Sequence, residues 1–188
     1  MDRFGYPGVV GVVPWWVGQN DRLNRQQLQT MATDGWEMAS HPQLSDTPLP
    51  TLSKGRQRDT IERAKRWLLD KKFPSQGQTL IWPFGKFEEQ TLDLMAEYHR
   101  LAFVGGTSPK PWAITDPGWV SRVNGDNPGE VQQAIDMAAQ FGTVATVMYH
   151  TIGQSRLSTA AFRNELRYIK QAGVDVVVPS RLADAQPY

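Results

Sequence analysis

Residues 8–16 read GVVGVVPWW, and this run indicates the fold class. Its valines are β-branched and no polar residue alternates with them, which is typical of a strand buried on both faces. Such strands belong to parallel sheets, because helices then cover the two faces. The run therefore predicts an α/β protein, in which helices and further strands follow in turn.

Helix starts and strand-like runs do alternate through the rest of the sequence. Helices are expected to begin at the capping residues Asn24, Ser53, Asn127 and Ser158. Further strand-like runs lie at residues 35–40, 79–82, 101–104, 119–123, 144–149 and 174–178. This order predicts a mostly parallel sheet in a single domain spanning residues 1–188. From the residues alone, a barrel and a doubly wound sheet both remain open.

Composition restricts the classes of function. The chain has 188 residues, a net charge of +1 and no cysteine, which excludes disulfides and thiolate metal sites. A charge near zero without a basic cluster argues against nucleic acid as the main partner. No apolar run is long enough to span a bilayer, and residues 1–7 lack the features of a signal peptide. The compartment is not determined by these features.

Candidate functional residues follow from the rule that parallel α/β folds carry their sites at the carboxyl ends of the strands. His41 and His150 each end a predicted strand, so we expect both on the same face. His41 is either a metal ligand or general base, or a loop histidine bonded to a backbone carbonyl. His99, near a helix end, is expected to be solvated.

Other candidates lie near the same strand ends. Asp46 follows His41 in its loop, as a second metal ligand or as a turn residue before a proline. Trp15, Trp82 and Trp119 also fall at or near strand ends, where aromatic rings can form a stacking floor for sugars. Core packing is the alternative role for some of these rings.

The motifs also come in a recognisable order. These are VVPWWVG at residues 12–18, MATDGWEMASH at 31–41, WPFG at 82–85 and VMYH at 147–150. In this order they resemble the NodB homology domain of polysaccharide deacetylases (carbohydrate esterase family 4). The Trp-Pro-aromatic-Gly form is most similar to the poly-N-acetylglucosamine deacetylases.

The resemblance implies a distorted (β/α) barrel of about seven mostly parallel strands. It implies that a divalent metal, zinc above all, supports the removal of acetyl groups from an N-acetylated polysaccharide or oligosaccharide. It makes His41 the first metal-binding histidine and His150 the general acid, with Arg122 orienting a catalytic aspartate. The expected groove residues are Trp82, Pro83, Phe84 and Gly85, together with Trp15 and Trp119.

Two departures from the family pattern change these expectations. The first motif, with its paired aspartates, has no counterpart here, and Ser45 occupies the position of the second metal-binding histidine. We therefore expect an N-terminally incomplete domain without its first βα unit, whose open sheet edge another segment or subunit covers. A catalytically inactive relative without a cofactor, acting as a carbohydrate-binding or structural module, is the alternative function.

Overall fold

A computed structural model describes residues 1–44, 46–73, 77–106, 116–154 and 156–184. The strands are β1 Val9–Val12, β2 Glu37–Ser40, β3 Thr79–Ile81, β4 Leu101–Gly106, β5 Val120–Asn124 and β6 Val147–Met148. The helices are α1 Arg25–Thr33, α2 Lys54–Asp70, α3 Glu89–Tyr98, α4 Pro128–Phe141, α5 Thr159–Ala172 and α6 Pro179–Asp184. Within these residues no helix is both long and apolar enough to cross a membrane.

The described strands form one sheet in the order β1-β2-β3-β4-β5-β6, and every neighbouring pair is parallel. A doubly wound sheet reverses its strand order at a switch point, whereas a barrel adds each strand beside the previous one. The consecutive order therefore decides between the two architectures. The sheet curls into part of a barrel with β1 and β6 at its edges, which confirms the predicted α/β barrel class.

Alternate side chains of the strands face two different layers. On the outer face, Leu80 and Ala102 pack with Ile61 of α2 and Leu94 of α3. Val12 and Met38 meet Leu28 and Leu68 on the same side, and Val123 meets the helices α4 and α5. The strand residues between these positions, such as Phe103, point to the inner face.

Helix α6 covers that inner face at the amino ends of the strands. Ala183 packs with Leu101, Phe103 and Val120, all of which alternate with outer-face residues. The backbone N–H of Ser180 donates to both carboxylate oxygens of Glu37, at 3.2 Å each. Arg100 forms an ion pair with Asp184 at 2.7 Å. Helix α6 thus fills the inner face at the amino ends of the strands. At the carboxyl ends α6 does not cover the inner face, and polar side chains lie there.

Most predicted elements are confirmed, and one strand is not. Asn24 and Gln27 form the reciprocal capping contacts of α1, and the Ser158 side chain caps α5. Residues 174–178, predicted as the last strand, form no ladder within the described sheet. Val174 and Val176 instead pack against the cluster between α4 and α5. Residues 174–178 therefore alternate between partly buried and exposed positions without a described strand beside them.

The prediction for His99 is wrong. Its side chain is buried, at 6% exposure, and Nδ1 lies 2.6 Å from the carbonyl oxygen of Gly77. Burial lowers the pKa of His99 to about 3, with a further contribution from the charge of Lys65, so the ring is neutral at ordinary pH. The helix end on which we expected a solvated imidazole is therefore covered by the segment before β3.

Candidate active site

His41 lies at the carboxyl end of β2, on the inner face. Its Nδ1 is 2.8 Å from the carbonyl oxygen of Ile81, which ends β3. Burial lowers the pKa of His41, the hydrogen bond to Ile81 opposes this change, and the charges of Arg122 and His150 lower the pKa further. The ring also forms a hydrogen bond with the Gln43 side chain, which raises the pKa. With Nδ1 next to the Ile81 carbonyl, Nε2 is the ring nitrogen that could bind a metal or accept a proton.

Arg122 lies on β5, also on the inner face. Its Nε–H donates to the carbonyl oxygen of Val104 at 2.5 Å. Burial lowers the pKa of Arg122 to about 10, so the guanidinium is still charged at neutral pH. Among the described residues Arg122 pairs with no carboxylate, so its predicted task of orienting an aspartate is not visible here. Its contact instead joins β5 to β4 beside His41.

His150 is the second residue beyond β6, and its side chain is half exposed. Its Nδ1 lies 3.8 Å from Oδ2 of Asp126, whose side chain is 14% exposed. Arg156 approaches the same carboxylate oxygen at 3.7 Å. The pair puts an accessible imidazole next to a largely buried carboxylate at the carboxyl ends of β5 and β6.

Sequence reasoning missed Asp126. It lies two residues beyond β5, so the rule of strand carboxyl ends that identified His150 also applies to it. The Asn127-Pro128 pair that follows Asp126 indicates a helix start, so this stretch predicts only the beginning of α4. Its backbone N–H donates to the side chain of Asn124 at 3.1 Å, which shapes the turn that carries the carboxylate.

The turn after β3 is locally strained. Phe84 has φ 57° and ψ 11°, a left-handed conformation that non-glycine residues rarely adopt. Gly85 follows with φ 65°, and a Cβ built on it would lie 2.5 Å from the backbone nitrogen of Gly105. Only glycine permits this approach of the turn to β4. The turn holds the Phe84 ring at the surface, where 47% of the residue is exposed.

Two of the predicted groove residues lie in the interior. Trp82 is 1% exposed, and its Nε1–H donates to the carbonyl oxygen of Gly118 at 2.9 Å. Pro83 is buried as well. The prediction that these side chains touch a substrate is therefore wrong for the conformation described. Trp119 is exposed but precedes β5, and its ring packs edge-on against Phe87 at 6.0 Å.

Trp15 lines a pocket of about 500 Å³ at the carboxyl ends of β1 and β2. Its Nε1–H donates to the carbonyl oxygen of Gln43 at 2.7 Å, which fixes the ring between the two loops. The guanidinium of Arg22 lies 4.8 Å from the centre of the Trp16 ring. The residues around this pocket are Trp15, Trp16, Gln19, Leu44, Thr47, Leu52 and Arg56. Aromatic, aliphatic, amide and cationic groups thus surround a space large enough for a sugar unit.

The metal implied by the resemblance can be tested against the side chains near His41. Asp46 is exposed at a turn in which Thr47 N–H donates to the carbonyl oxygen of Leu44 at 3.0 Å. Ser45 lies outside the described residues. Across the described ranges no group of three or more histidine, cysteine or acidic side chains could hold a metal ion. One imidazole is not a structural or catalytic zinc site, so the ligands described do not fit the family's metal triad.

The sequence matches a family model as well as a fold. The polysaccharide deacetylase family model matches residues 1–101, which is more than half of the chain. The chain belongs to the polysaccharide deacetylase family. This confirms the resemblance inferred from the motifs, and the matched residues include β1, β2, β3 and the His41 loop.

Solved structures of this family are similar in fold. A Mycobacterium smegmatis protein assigned to the polysaccharide deacetylases has a TM-score of 0.66 and 17% identity, with 97% of this chain and 72% of that one covered. The Streptococcus pyogenes deacetylase PplD, in complex with acetate, has a TM-score of 0.58 and 16% identity over 70% of this chain and 60% of its own. A Bacillus cereus polysaccharide deacetylase has a TM-score of 0.52 and 16% identity, covering 61% and 36%.

At these identities the likeness shows the fold alone. The chain spans less than two thirds of the Streptococcus and Bacillus proteins. Among curated proteins, none matches this sequence. The chemistry assigned to this deacetylase-family chain must therefore come from its own residues.

Proposed function

We propose that this chain binds an N-acetylated amino-sugar polymer and takes part in hydrolysis of the N-acetyl amide, with His150 as the proton donor. The observation that carries the proposal is the His150–Asp126 pair at the carboxyl ends of β5 and β6. Membership of the polysaccharide deacetylase family supports the class of substrate.

Amide hydrolysis gives such a pair a defined task. Water adds to the acetyl carbonyl carbon, the C–N bond then breaks, and the sugar nitrogen leaves with a proton as a free amine while acetate is released. The nitrogen cannot leave as an anion, so a positioned acid must protonate it. The protonated ring of His150 supplies this proton, and the carboxylate of Asp126 beside it orients the ring.

The rest of the carboxyl-end face supports binding of a sugar chain. The pocket at Trp15 and Trp16 offers aromatic faces with polar groups at its rim, and Phe84 exposes a further ring beyond the end of β3. Sugar rings carry apolar C–H faces and peripheral hydroxyl groups, so aromatic floors with polar rims suit them. Trp15 and Phe84 are therefore the predicted groove residues that we retain as substrate contacts.

A divalent metal, zinc in the prediction from the resemblance, would polarise the acetyl carbonyl and activate water when bound. His41 is the described residue best suited to hold it, through Nε2, and Asp46 is the predicted partner. Because these two side chains do not complete a ligand set, we assign no step to the metal. The incomplete set is also the observation that favours the alternative, a carbohydrate-binding relative without hydrolysis.

Two measurements on the same proteins test the proposal. Acetate release from an N-acetylglucosamine oligomer, with and without added zinc, measures hydrolysis, and quenching of tryptophan fluorescence measures binding. We expect His150→Ala to lower kcat by about 10²- to 10⁴-fold, the usual contribution of a general acid. Asp126→Asn should lower it less, and His99→Asn, a buried histidine elsewhere in the fold, is the matched control.

The outcomes separate the hypotheses. Quenching without acetate release at saturating zinc would establish the binding module and reject hydrolysis. Acetate release that is equal in the His150→Ala variant and the unmodified chain would remove His150 from the reaction. Neither release nor quenching would overturn both functions. If His41→Ala abolishes zinc binding measured by calorimetry, His41 is a ligand despite the incomplete set.

A further inference from the structure

Tyr149 connects the two halves of the His150–Asp126 pair. A Cβ built on Gly125 would lie 2.2 Å from Cε1 of Tyr149, so the backbone next to Asp126 lies flat against the phenol ring. Gly125 N–H also donates to the carbonyl oxygen of Met148 at 2.8 Å. Tyr149 immediately precedes His150, so a single ring supports the turn that carries Asp126 and the backbone that carries the imidazole.

A buried carboxyl group holds this ring in place. The Tyr149 hydroxyl donates to Oε2 of Glu165 at 2.7 Å, and the ring packs edge-on against Phe162 at 5.0 Å. Glu165 lies on α5 and is only 2% exposed, among the apolar side chains that pack between α4 and α5. Acidic residues are almost never fully buried unless they have a partner, so this position calls for a specific contact.

Glu165 also interacts with Asp126. Burial raises the pKa of Glu165, the hydrogen bond from Tyr149 acts in the opposite direction, and the charge of Asp126 adds to the increase. In the described part of the chain, Oε1 of Glu165 and Oδ1 of Asp126 are both buried without a hydrogen-bond partner. The hydrogen bond from the Tyr149 hydroxyl is therefore the contact that holds the Glu165 carboxyl group in place.

We propose that Glu165 is a positioning residue for the His150–Asp126 pair and acts through the hydrogen bond that it accepts from Tyr149. The inference rests on the proposed function for its catalytic meaning, because the pair has a reaction to serve only if hydrolysis occurs. The linkage itself is geometric: Glu165 fixes the phenol, and the phenol fixes the turn at Gly125 and the start of the His150 loop. A merely structural role would stabilise α5 and leave the imidazole unaffected.

Two substitutions separate these roles. Glu165→Gln keeps an acceptor for the Tyr149 hydroxyl in a side chain of the same shape, without a titrating group. Glu165→Leu fills the same space but removes the contact, and Tyr149→Phe removes the hydroxyl while keeping the ring against Gly125. Asp126→Asn is the reference for a His150 that has lost its carboxylate partner.

The readout that does not need activity is the ¹⁵N NMR signal of the His150 ring. The chain has only three histidines, so His41→Ala and His99→Asn assign the signals. We expect the His150 signal of Glu165→Gln to match that of the unmodified chain. In Glu165→Leu and Tyr149→Phe it should move toward the signal of Asp126→Asn. If hydrolysis occurs, kcat should fall about tenfold in these two variants with KM unchanged, a part of what a general acid contributes.

Each result decides the inference. An unchanged His150 signal in folded Glu165→Leu, or in Tyr149→Phe if the leucine variant does not fold, would reduce Glu165 to a structural role. A Gln variant that behaves like the Leu variant would show that an acceptor for the Tyr149 hydroxyl does not preserve the pair, which would overturn the linkage through Tyr149. If the signal moves as expected but no variant releases acetate, the positioning role stands and the proposed hydrolysis fails.

Discussion

His99 gives the most direct test of the physical account of this fold. In the native protein its pKa is about 3, whereas in the unfolded chain it returns to the ordinary value of 6.5. Between these two values the unfolded chain binds a proton that the native protein does not. The free energy of unfolding therefore falls as the pH is lowered below 6.5, and it keeps falling until about pH 3.

The magnitude follows from the size of the shift. One pKa unit corresponds to about 1.4 kcal/mol, so lowering the pH from 7 to 5 should cost the native state about 2 kcal/mol through His99 alone. The variant His99→Asn removes the titrating ring. Its side-chain amide N–H can still donate to the carbonyl oxygen of Gly77, the contact that Nδ1 makes at 2.6 Å. The variant should therefore lack this 2 kcal/mol loss.

The assay is urea unfolding followed by tryptophan fluorescence at pH 7 and pH 5, for both proteins. His41, whose pKa is also lowered by burial, is present in both and cancels in the comparison. The unmodified chain should lose about 2 kcal/mol more than His99→Asn between the two pH values. Equal losses in the two proteins would show that burial does not hold His99 neutral in the native protein.

Three other substitutions test the packing, each by urea unfolding at pH 7. Gly85→Ala should lower the free energy of unfolding by at least about 2 kcal/mol, because the new Cβ would collide with backbone at a positive φ. The control Gly55→Ala in α2 meets open space and should be neutral or stabilising, and equal effects of the two substitutions would contradict the turn geometry. Trp82→Phe should lower the free energy of unfolding by about 2 kcal/mol, because the Gly118 carbonyl loses its donor and the core loses contacts. Trp119→Phe, at the surface, should lower it by less than about 0.5 kcal/mol, and the reverse order would be inconsistent with the burial described. Asn24→Ala should cost about 1 kcal/mol, since it removes the side-chain half of the capping contacts of α1; no change would mean that the cap does not stabilise the helix.

Most of the fold could be predicted because its elements follow local rules. The apolar run at residues 8–13 forms β1, although only Val12 and Val13 in it are buried and Gly11 is exposed, so the expected burial on both faces is wrong. Asn24 and Ser158 cap helices through contacts within three residues. Residues 174–178 have the same composition as a strand but do not pair. A strand exists only if another strand presents its N–H and C=O groups, and the local sequence does not determine that condition.

The site could be predicted only in part, for a related reason. The rule of strand ends identified His41 and His150, because the ends of parallel strands share one edge of the sheet. The same rule does not distinguish the exposed Phe84 from the buried Trp82, because both residues lie at the end of the same strand. Glu165 lies within the amphipathic pattern of α5, where an acidic residue normally faces solvent. Only the packing of β6 against α5 shows that it is buried.

The position of α6 on the inner face has a consequence for synthesis of the protein. Glu37 and Ser180 are 143 residues apart in the sequence. At a translation rate of about 5 to 20 residues per second, Glu37 waits roughly 7 to 30 seconds for this partner to be made. From their own synthesis until α6 is made, the inner-face apolar side chains of β4 and β5 have no helix over them. The nascent chain should therefore be a substrate for chaperones that bind exposed apolar segments, until α6 leaves the ribosome and covers the sheet.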